Sequence, residues 1–408
     1  MSKKMTFFNL FEPNKMESFN PDSPHKGTDI SSSCISDQVT EEVDYDKLQK
    51  QFGSQLIDES LIERLERVTG KPAHPFLKRG FFFSHRDLDK LLDHIEAGGD
   101  CYIYTGRGPS SSSLHIGHLI PFLFAKYLQE AFNALLVIQI TDDEKFLFRD
   151  LTLEEVQRNA VENIKDILSL GFDFKKTFIF MNTGYMGSMY PTVLQVQKCI
   201  TANQVKAVFG FKMGDEEESD SIGKIAFPAI EIAPCFSSCF PTYDISKRKD
   251  VMCVVPCAID QDPFFRMARD IAPRLGYPKP VIIHSKFIPA LNGMVGKMSA
   301  SIQNSAIFLS DTPKQIQKKI GRAFSGGQDT AEEHRRLGGN LKVDIAYQYL
   351  RIFDLESTEE ELEKVAEDYR KGTLLSGQMK KKTIDVLTDL TKRLQSARSL
   401  KVNQKFLE

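Results

Sequence analysis

Apolar positions in this chain recur at two spacings, and the change from one to the other divides it. From Ser60, residues Leu61, Leu65 and Val68 share one helical face, and Gly70 closes the segment. A second helix is predicted from Ser84, with Asp87 three residues on and Leu88, Leu91, Leu92 and Ile95 as its buried stripe. From residue 101 the pattern turns to short β-rich runs at 101–105, 135–141, 177–181, 251–256, 281–284 and 306–309. Between them the spacing predicts a helix over 153–170. Thr152 and Glu155 form a capping box, Val156, Ala160, Ile164 and Ile167 recur at helical spacing, and Gly171 ends it. Strands alternating with helices predict an α/β fold, a parallel sheet covered on both faces.

After residue 309 the strands stop. Thr312-Pro313 reads as a helix start, threonine as cap and proline in the first turn. Leu362, Val365 and Tyr369, then Ile384, Leu387, Leu390 and Leu394, continue as helical stripes. Residues 44–310 and 311–400 are therefore expected to be an α/β domain with an N-terminal helical extension and an all-helical second domain. Residues 1–43, with Pro13, Pro21, Pro24 and Ser31-Ser32-Ser33, are expected to be a mobile tail, and 401–408 a shorter one. The segment 213–223 holds Asp215-Glu216-Glu217-Glu218 and Asp220 and reads as an exposed acidic loop.

Composition narrows the class. Of 408 residues, 41% are hydrophobic and 26% charged, which fits a globular chain and excludes wholesale disorder. No stretch approaches the roughly 20 apolar residues that cross a bilayer, so no membrane partner is expected. The first thirty residues carry Glu12, Glu17 and Asp22 without an apolar core, unlike a secretory or transit segment. Seven cysteines, an odd number, then point to reduced thiols in the cytoplasm. The spacing Cys235-x3-Cys239 and Cys253-x3-Cys257 resembles a zinc ribbon, but Cys253 and Cys257 sit in an apolar run and read better as buried free thiols. A formal net charge of −2 excludes a protein that coats nucleic acid nonspecifically and leaves only local basic patches.

Two stretches carry chemistry. Tyr104-Thr105-Gly106-Arg107-Gly108-Pro109, followed by Leu114-His115-Ile116-Gly117-His118-Leu119, takes a strand through a glycine turn into a helix. Glycines there let backbone approach a ligand, helix-start amides favour phosphate, and two histidines can donate hydrogen bonds to it. Far along the chain, Gly296-Lys297-Met298-Ser299-Ala300-Ser301 places a lysine on a glycine-flanked loop suited to gripping a polyphosphate. Each alone is a weak signal, since short motifs match by accident. Together they are strong.

The pair resembles the two ATP motifs of class I aminoacyl-tRNA synthetases. The surrounding sequence is similar to the eukaryotic-type tryptophanyl branch of that family, notably Gln139-Ile140-Thr141-Asp142-Asp143-Glu144-Lys145 and Ala258-Ile259-Asp260-Gln261-Asp262-Pro263. The similarity runs from about Asp44 to Leu400 and leaves out the tail and the acidic loop. It implies a Rossmann-like catalytic domain with an inserted dimerisation region, a helical anticodon-binding domain and a homodimer. It also implies that ATP, with Mg²⁺, L-tryptophan and tRNA(Trp) are the ligands. On the ATP side it implies Thr105, Gly106, Arg107, Gly108, His115, Gly117, His118, Ala258, Asp260, Lys297, Met298, Ser299 and Ser301. Of these, His115, His118, Arg107 and Lys297 are the catalytic candidates. Tyr104 and Gln139 would bind the indole N–H, and their oxygens suit a ligand group that only donates. Glu144, Gln261 and Glu231 would face the ammonium, Lys145 the ATP or the tRNA end, and Asp329 the anticodon. For Asp142 and Asp143 a solvated helix start is an equal reading. Glu231 stands where relatives are expected to carry glutamine, and its carboxylate could pair with the ammonium or point elsewhere. Ala300 replaces the second lysine of the general class I pattern. A tyrosine-specific relative remains the nearest alternative, and a small nucleotidyltransferase a more distant one that the long helical region disfavours.

Overall fold

The computed structural model describes residues 44–212, 219–298 and 306–400, with the side chains of 295–297 and 399–400 left aside. Both expected tails and most of the acidic loop lie outside the described residues, as do Ser299, Ala300 and Ser301. Seven strands form one sheet: β1 (Gln55–Leu56), β2 (Phe82–Arg86), β3 (Cys101–Arg107), β4 (Leu135–Ile140), β5 (Thr177–Met181), β6 (Met252–Ala258) and β7 (Val281–Ser285). Their spatial order is β1-β2-β7-β6-β3-β4-β5. The five strands from β7 to β5 are parallel, while β1 and β2 form an antiparallel edge. The chain enters the parallel part at β3, winds outward to β5, and returns on the other side through β6 and β7. The order reverses between β3 and β6, and doubly wound sheets open their ligand crevice at such a point.

Alternation sorts the side chains into two cores. On one face Ile103, Leu136, Ile138, Ile140 and Val254 pack with the Ile116–Phe132 helix. On the other, Tyr102, Tyr104, Val137 and Val255 pack with Phe227, Phe236 and Phe240. Cys235, Cys239, Cys253 and Cys257 are buried in this second core as free thiols. The helical C-terminal region adds Ile316, Ile345, Tyr349 and Leu387 to the first core, so it packs directly on the sheet's helical cover. Arg79 fastens the same junction, donating to the carbonyls of Arg351, Asp354 and Ser357.

Caps and strands fall close to their sequence positions. The Leu153–Leu168 helix has the Thr152–Glu155 capping box, and the Pro313–Arg322 helix is boxed by Thr312 and Gln315. Three expectations about elements fail. Ser84 does not start a helix: it lies fully buried in β2, where its Oγ is 3.0 Å from His284 Nδ1 on β7. Sheet pairing overrides the local capping pattern, and the helix begins at Leu88 behind Asp87, which takes φ 60°. Residues 306–309 do not form a strand of the sheet either. Phe308 makes an isolated antiparallel bridge to His115, flanked by Ile116 N–H to Ile307 O at 2.9 Å and Leu309 N–H to Leu114 O at 2.8 Å. The lysine motif is entered from a small hairpin, β8 (Pro289–Ala290) and β9 (Gly293–Lys297), instead of an open loop.

Candidate active site

A cavity of about 700 Å³ opens at the carboxyl ends of β3, β4 and β6. The two motifs meet there. A Cβ on Gly117 would lie 3.0 Å from the His115 ring and 3.5 Å from Met298 Sδ, so Met298 is seated directly on the His-Ile-Gly-His turn. With the bridge at Phe308, the segments on both sides of residues 299–305 are docked against the start of the Ile116–Phe132 helix. Lys297 closes β9 opposite Pro289.

His115 and His118 stack with ring centroids 3.4 Å apart. Burial, with the Arg107 charge second, brings His115 down to about 3 and holds His118 well below the usual imidazole range. Both rings are therefore neutral at pH 7. His118 Nδ1 accepts the His115 backbone N–H at 3.3 Å, which leaves its proton on Nε2. Arg107 Nε donates to Asn163 Oδ1 at 3.1 Å, while Nη2 is buried without a hydrogen-bond partner among the described residues. Burial lowers this guanidinium to about 10, which still leaves it charged at pH 7. An unpaired buried cation donor beside neutral donors at a helix start suits a polyanion.

The other end of the cavity is aromatic, with Phe148, Phe209, Phe227, Phe264 and Phe265 in its wall. Tyr104 Oη lies 2.6 Å from Gln139 Oε1 and 2.7 Å from the Glu231 carbonyl oxygen. One phenolic proton serves both, and lone pairs of Tyr104 and Gln139 remain for a ligand donor. Gln139 Nε2 donates to Asn182 Oδ1 at 2.8 Å, and Asn182 Nδ2 donates to Asp143 Oδ1 at 2.7 Å. Asp142 accepts from the Thr183 backbone N–H at 3.1 Å. Both aspartates thus hold the start of the Asn182–Cys199 helix, and Asp142 is fully buried, so the solvated reading of the pair fails.

Glu144 and Lys145 form a contact pair, Nζ to Oε1 at 2.8 Å, with Thr141 Oγ1 donating to Glu144 Oε2 at 2.6 Å. A Cβ on Gly108 would fall on the end of the Lys145 side chain and come within 2.7 Å of Glu144 Oε2, so a side chain there would push this pair aside. The side chain of Glu231 lines the same cavity, where burial first and Glu144 second, against Lys145, raise its carboxyl to about 8. Ala258, Asp260 and Gln261 lie in the wall at the end of β6, and Thr105 and Gly106 at the end of β3. Asp329 is apart, exposed on the loop before the Ala331–Leu337 helix. Asn163 and Asn182 were not singled out in the sequence. Asn182 follows the last residue of β5, at the sheet edge where ligands gather, which is the one signal that could have marked it.

Residues 96–392 match the family described as class I tRNA synthetases for tryptophan and tyrosine. The human cytoplasmic tryptophan–tRNA ligase is 54% identical over 360 residues, 87% of this chain and 75% of that protein. The crystal structure of Plasmodium falciparum tryptophanyl-tRNA synthetase superposes with TM-score 0.82 at 50% identity, covering 90% of this chain and 94% of that one. The enzyme from Encephalitozoon cuniculi, solved bound to tryptophan, gives TM-score 0.80 at 46% identity over 90% of this chain and 96% of its own. The chain belongs to the class I aminoacyl-tRNA synthetases of the tryptophan and tyrosine type, and it is a ligase whose family chemistry uses ATP.

Proposed function

We infer that the chain is a tryptophan–tRNA ligase, which joins tryptophan to AMP and then passes the tryptophanyl group to tRNA(Trp). The observation that carries this reading is one cavity walled at one end by His115, Gly117, His118 and Met298 and at the other by Tyr104 and Gln139. Its relatives carry the same name.

A tryptophan carboxylate oxygen attacks the α-phosphorus in line. The P–O bond to pyrophosphate breaks, and tryptophanyl-adenylate remains. A terminal hydroxyl of the tRNA then attacks the acyl carbon and AMP departs. No protein nucleophile is needed, so the rate rests on positioning and charge stabilisation. His115 and His118 act as neutral donors to the phosphates, Arg107 and Lys297 as cations, and the Gly106-Arg107-Gly108 backbone lets the nucleotide come close. Thr105, Ala258 and Asp260 line the nucleoside side, and Met298, Ser299 and Ser301 complete the phosphate loop. Mg²⁺ carried in on the triphosphate oxygens would offset the charge of the pyrophosphate leaving group; among the described residues no cluster of three His, Cys, Asp or Glu offers it a site of its own.

Tyr104 and Gln139 accept the indole N–H, and Glu144, Glu231 and Gln261 surround the ammonium. Lys145, which neutralises Glu144, releases it as the substrate ammonium arrives and turns to the ATP or the tRNA end. Lys314, Lys318, Arg322, Arg335 and Arg336 are exposed on the helical region and offer phosphate contacts, and the exposed Asp329 would face the anticodon. Lys319 is engaged instead with Asp311 at 2.6 Å. Tyr190 and Leu194, 50% and 46% exposed and one helical turn apart, form an apolar strip suited to a homodimer contact. The relatives' cytoplasmic names support the same compartment here. Among the described residues no helix is long and apolar enough to cross a membrane.

The test is ATP–pyrophosphate exchange with tryptophan and tyrosine compared side by side. Exchange driven by tryptophan is expected. Preference for tyrosine would move the chain to the sister specificity within the same fold.

A further inference from the structure

Gln139 can read a donor only if its oxygen, not its nitrogen, faces the cavity. A side-chain amide is nearly symmetric in shape, so something must choose the orientation. The choice can be traced outward from groups with one possible polarity. Asp143 Oδ1 accepts the Glu144 backbone N–H at 2.8 Å, so this oxygen is fixed as an acceptor. Asn182, fully buried, turns its Nδ2 to the same oxygen at 2.7 Å and so must present Oδ1 on its other side. That Oδ1 takes Gln139 Nε2 at 2.8 Å, while the Ile230 carbonyl lies farther off at 3.4 Å. Gln139 Oε1 is then left toward Tyr104 and the cavity. With Gln139 turned over, its oxygen would face two acceptors and its NH₂ would face the ligand's own donor.

We propose that Asn182 is a positioning residue for amino-acid specificity: through the chain Glu144 N–H, Asp143, Asn182, Gln139 it sets the amide polarity that selects an indole N–H. It never touches the substrate. The same Asp143 is followed by Glu144, so the group that reads the ring and the group that reads the ammonium share one anchor at the start of the Asp142–Phe148 helix. The inference rests on the proposed tryptophan pocket, with Tyr104 and Gln139 as readers of the ring.

Pyrophosphate exchange by the full chain separates this role from ordinary packing. Its kcat/KM is measured for tryptophan and for β-(benzothiophen-3-yl)alanine, an isostere with sulfur in place of the ring N–H. The unaltered chain is expected to prefer tryptophan strongly. If it does not, the pocket reading falls and this inference with it. Asn182→Leu is expected to shrink the preference by roughly 10- to 100-fold, the range for a buried donor left unpaired, through the tryptophan value alone. Equal losses on both substrates, with the ratio kept, would mean that Asn182 only supports the fold, and would overturn the proposal. Asn182→Ala, small enough to admit a water that faces Gln139 either way, is the second variant should the leucine chain not fold, and its ratio is expected to fall as well.

Discussion

At the scale of single residues, the site works through groups whose charge is set by burial. His115, brought down to about 3, stays neutral from pH 5 to 8, and His118 is held well below the usual imidazole range. The pH profile of exchange is expected to lack an inflection from His115. His115→Asn, which keeps a neutral donor, should retain far more activity than His115→Ala, whose loss is expected at about 100- to 1,000-fold. An acid limb near pH 6.5 that disappears in His115→Asn would contradict the neutral-donor role. Lys297→Ala should slow exchange by a similar factor while tryptophan binding, read by calorimetry, stays near its original strength. Glu231 behaves in the opposite sense. Its carboxyl is raised to about 8, so it binds a proton in the folded chain that the unfolded chain has lost. That proton contributes stability which is complete below the ordinary carboxyl range and fades as pH rises through about 8. Glu231→Gln is therefore expected to raise the melting temperature at pH 9 more than at pH 5. The same ionisation places a second negative charge beside the substrate ammonium, so KM for tryptophan should fall with pH across that window and lose this dependence in Glu231→Gln. A variant with the parent's pH dependence would exclude Glu231 from the ammonium site.

At the scale of elements, the account rests on caps and pairings whose strengths differ. The Thr312–Gln315 box closes a helix that packs Ile316 and Ile320 into the main core. Thr312→Ala is expected to cost about 1 kcal/mol in denaturant unfolding and to leave exchange unchanged. Elements with a local signature could be read from the chain: the mostly apolar parallel strands β4, β5 and β7, and helices that carry their own caps. β2 could not. Phe81-Phe82-Phe83-Ser84 followed by Asp87 satisfies a helix-start pattern, and only a partner strand two hundred residues later draws it into the sheet, between β1 and β7. Residues 306–309 fail for the converse reason, since an apolar run looks like a strand but finds one bridge, to the His115 turn. The phosphate end of the site was legible because its motifs are contiguous. Asn163 and Asn182 were not, because an isolated asparagine has no pattern and takes its meaning from what it faces after folding.

At the scale of the whole molecule, the switch point between β3 and β6 brings together segments that the chain keeps far apart. The aromatic slot, the carboxyl cluster and the helix-start donors are three different local environments, and a single adenylate spans them only if they share one cavity. The helical region, joined to the body through Ile316, Tyr349 and Leu387, keeps the proposed tRNA surface fixed relative to that cavity. The apolar strip at Tyr190 and Leu194 faces outward from the helix that Asn182 begins, so a second copy docking there would press on the element that orients the ring-reading amide. A crystal structure with a non-hydrolysable tryptophanyl-adenylate analogue tests the arrangement most directly. The indole nitrogen should lie within hydrogen-bond reach of Tyr104 Oη and Gln139 Oε1, with the phosphate against the Gly117 turn beside Met298. An analogue bound outside this cavity, or with its ring turned away from those two oxygens, would contradict the account.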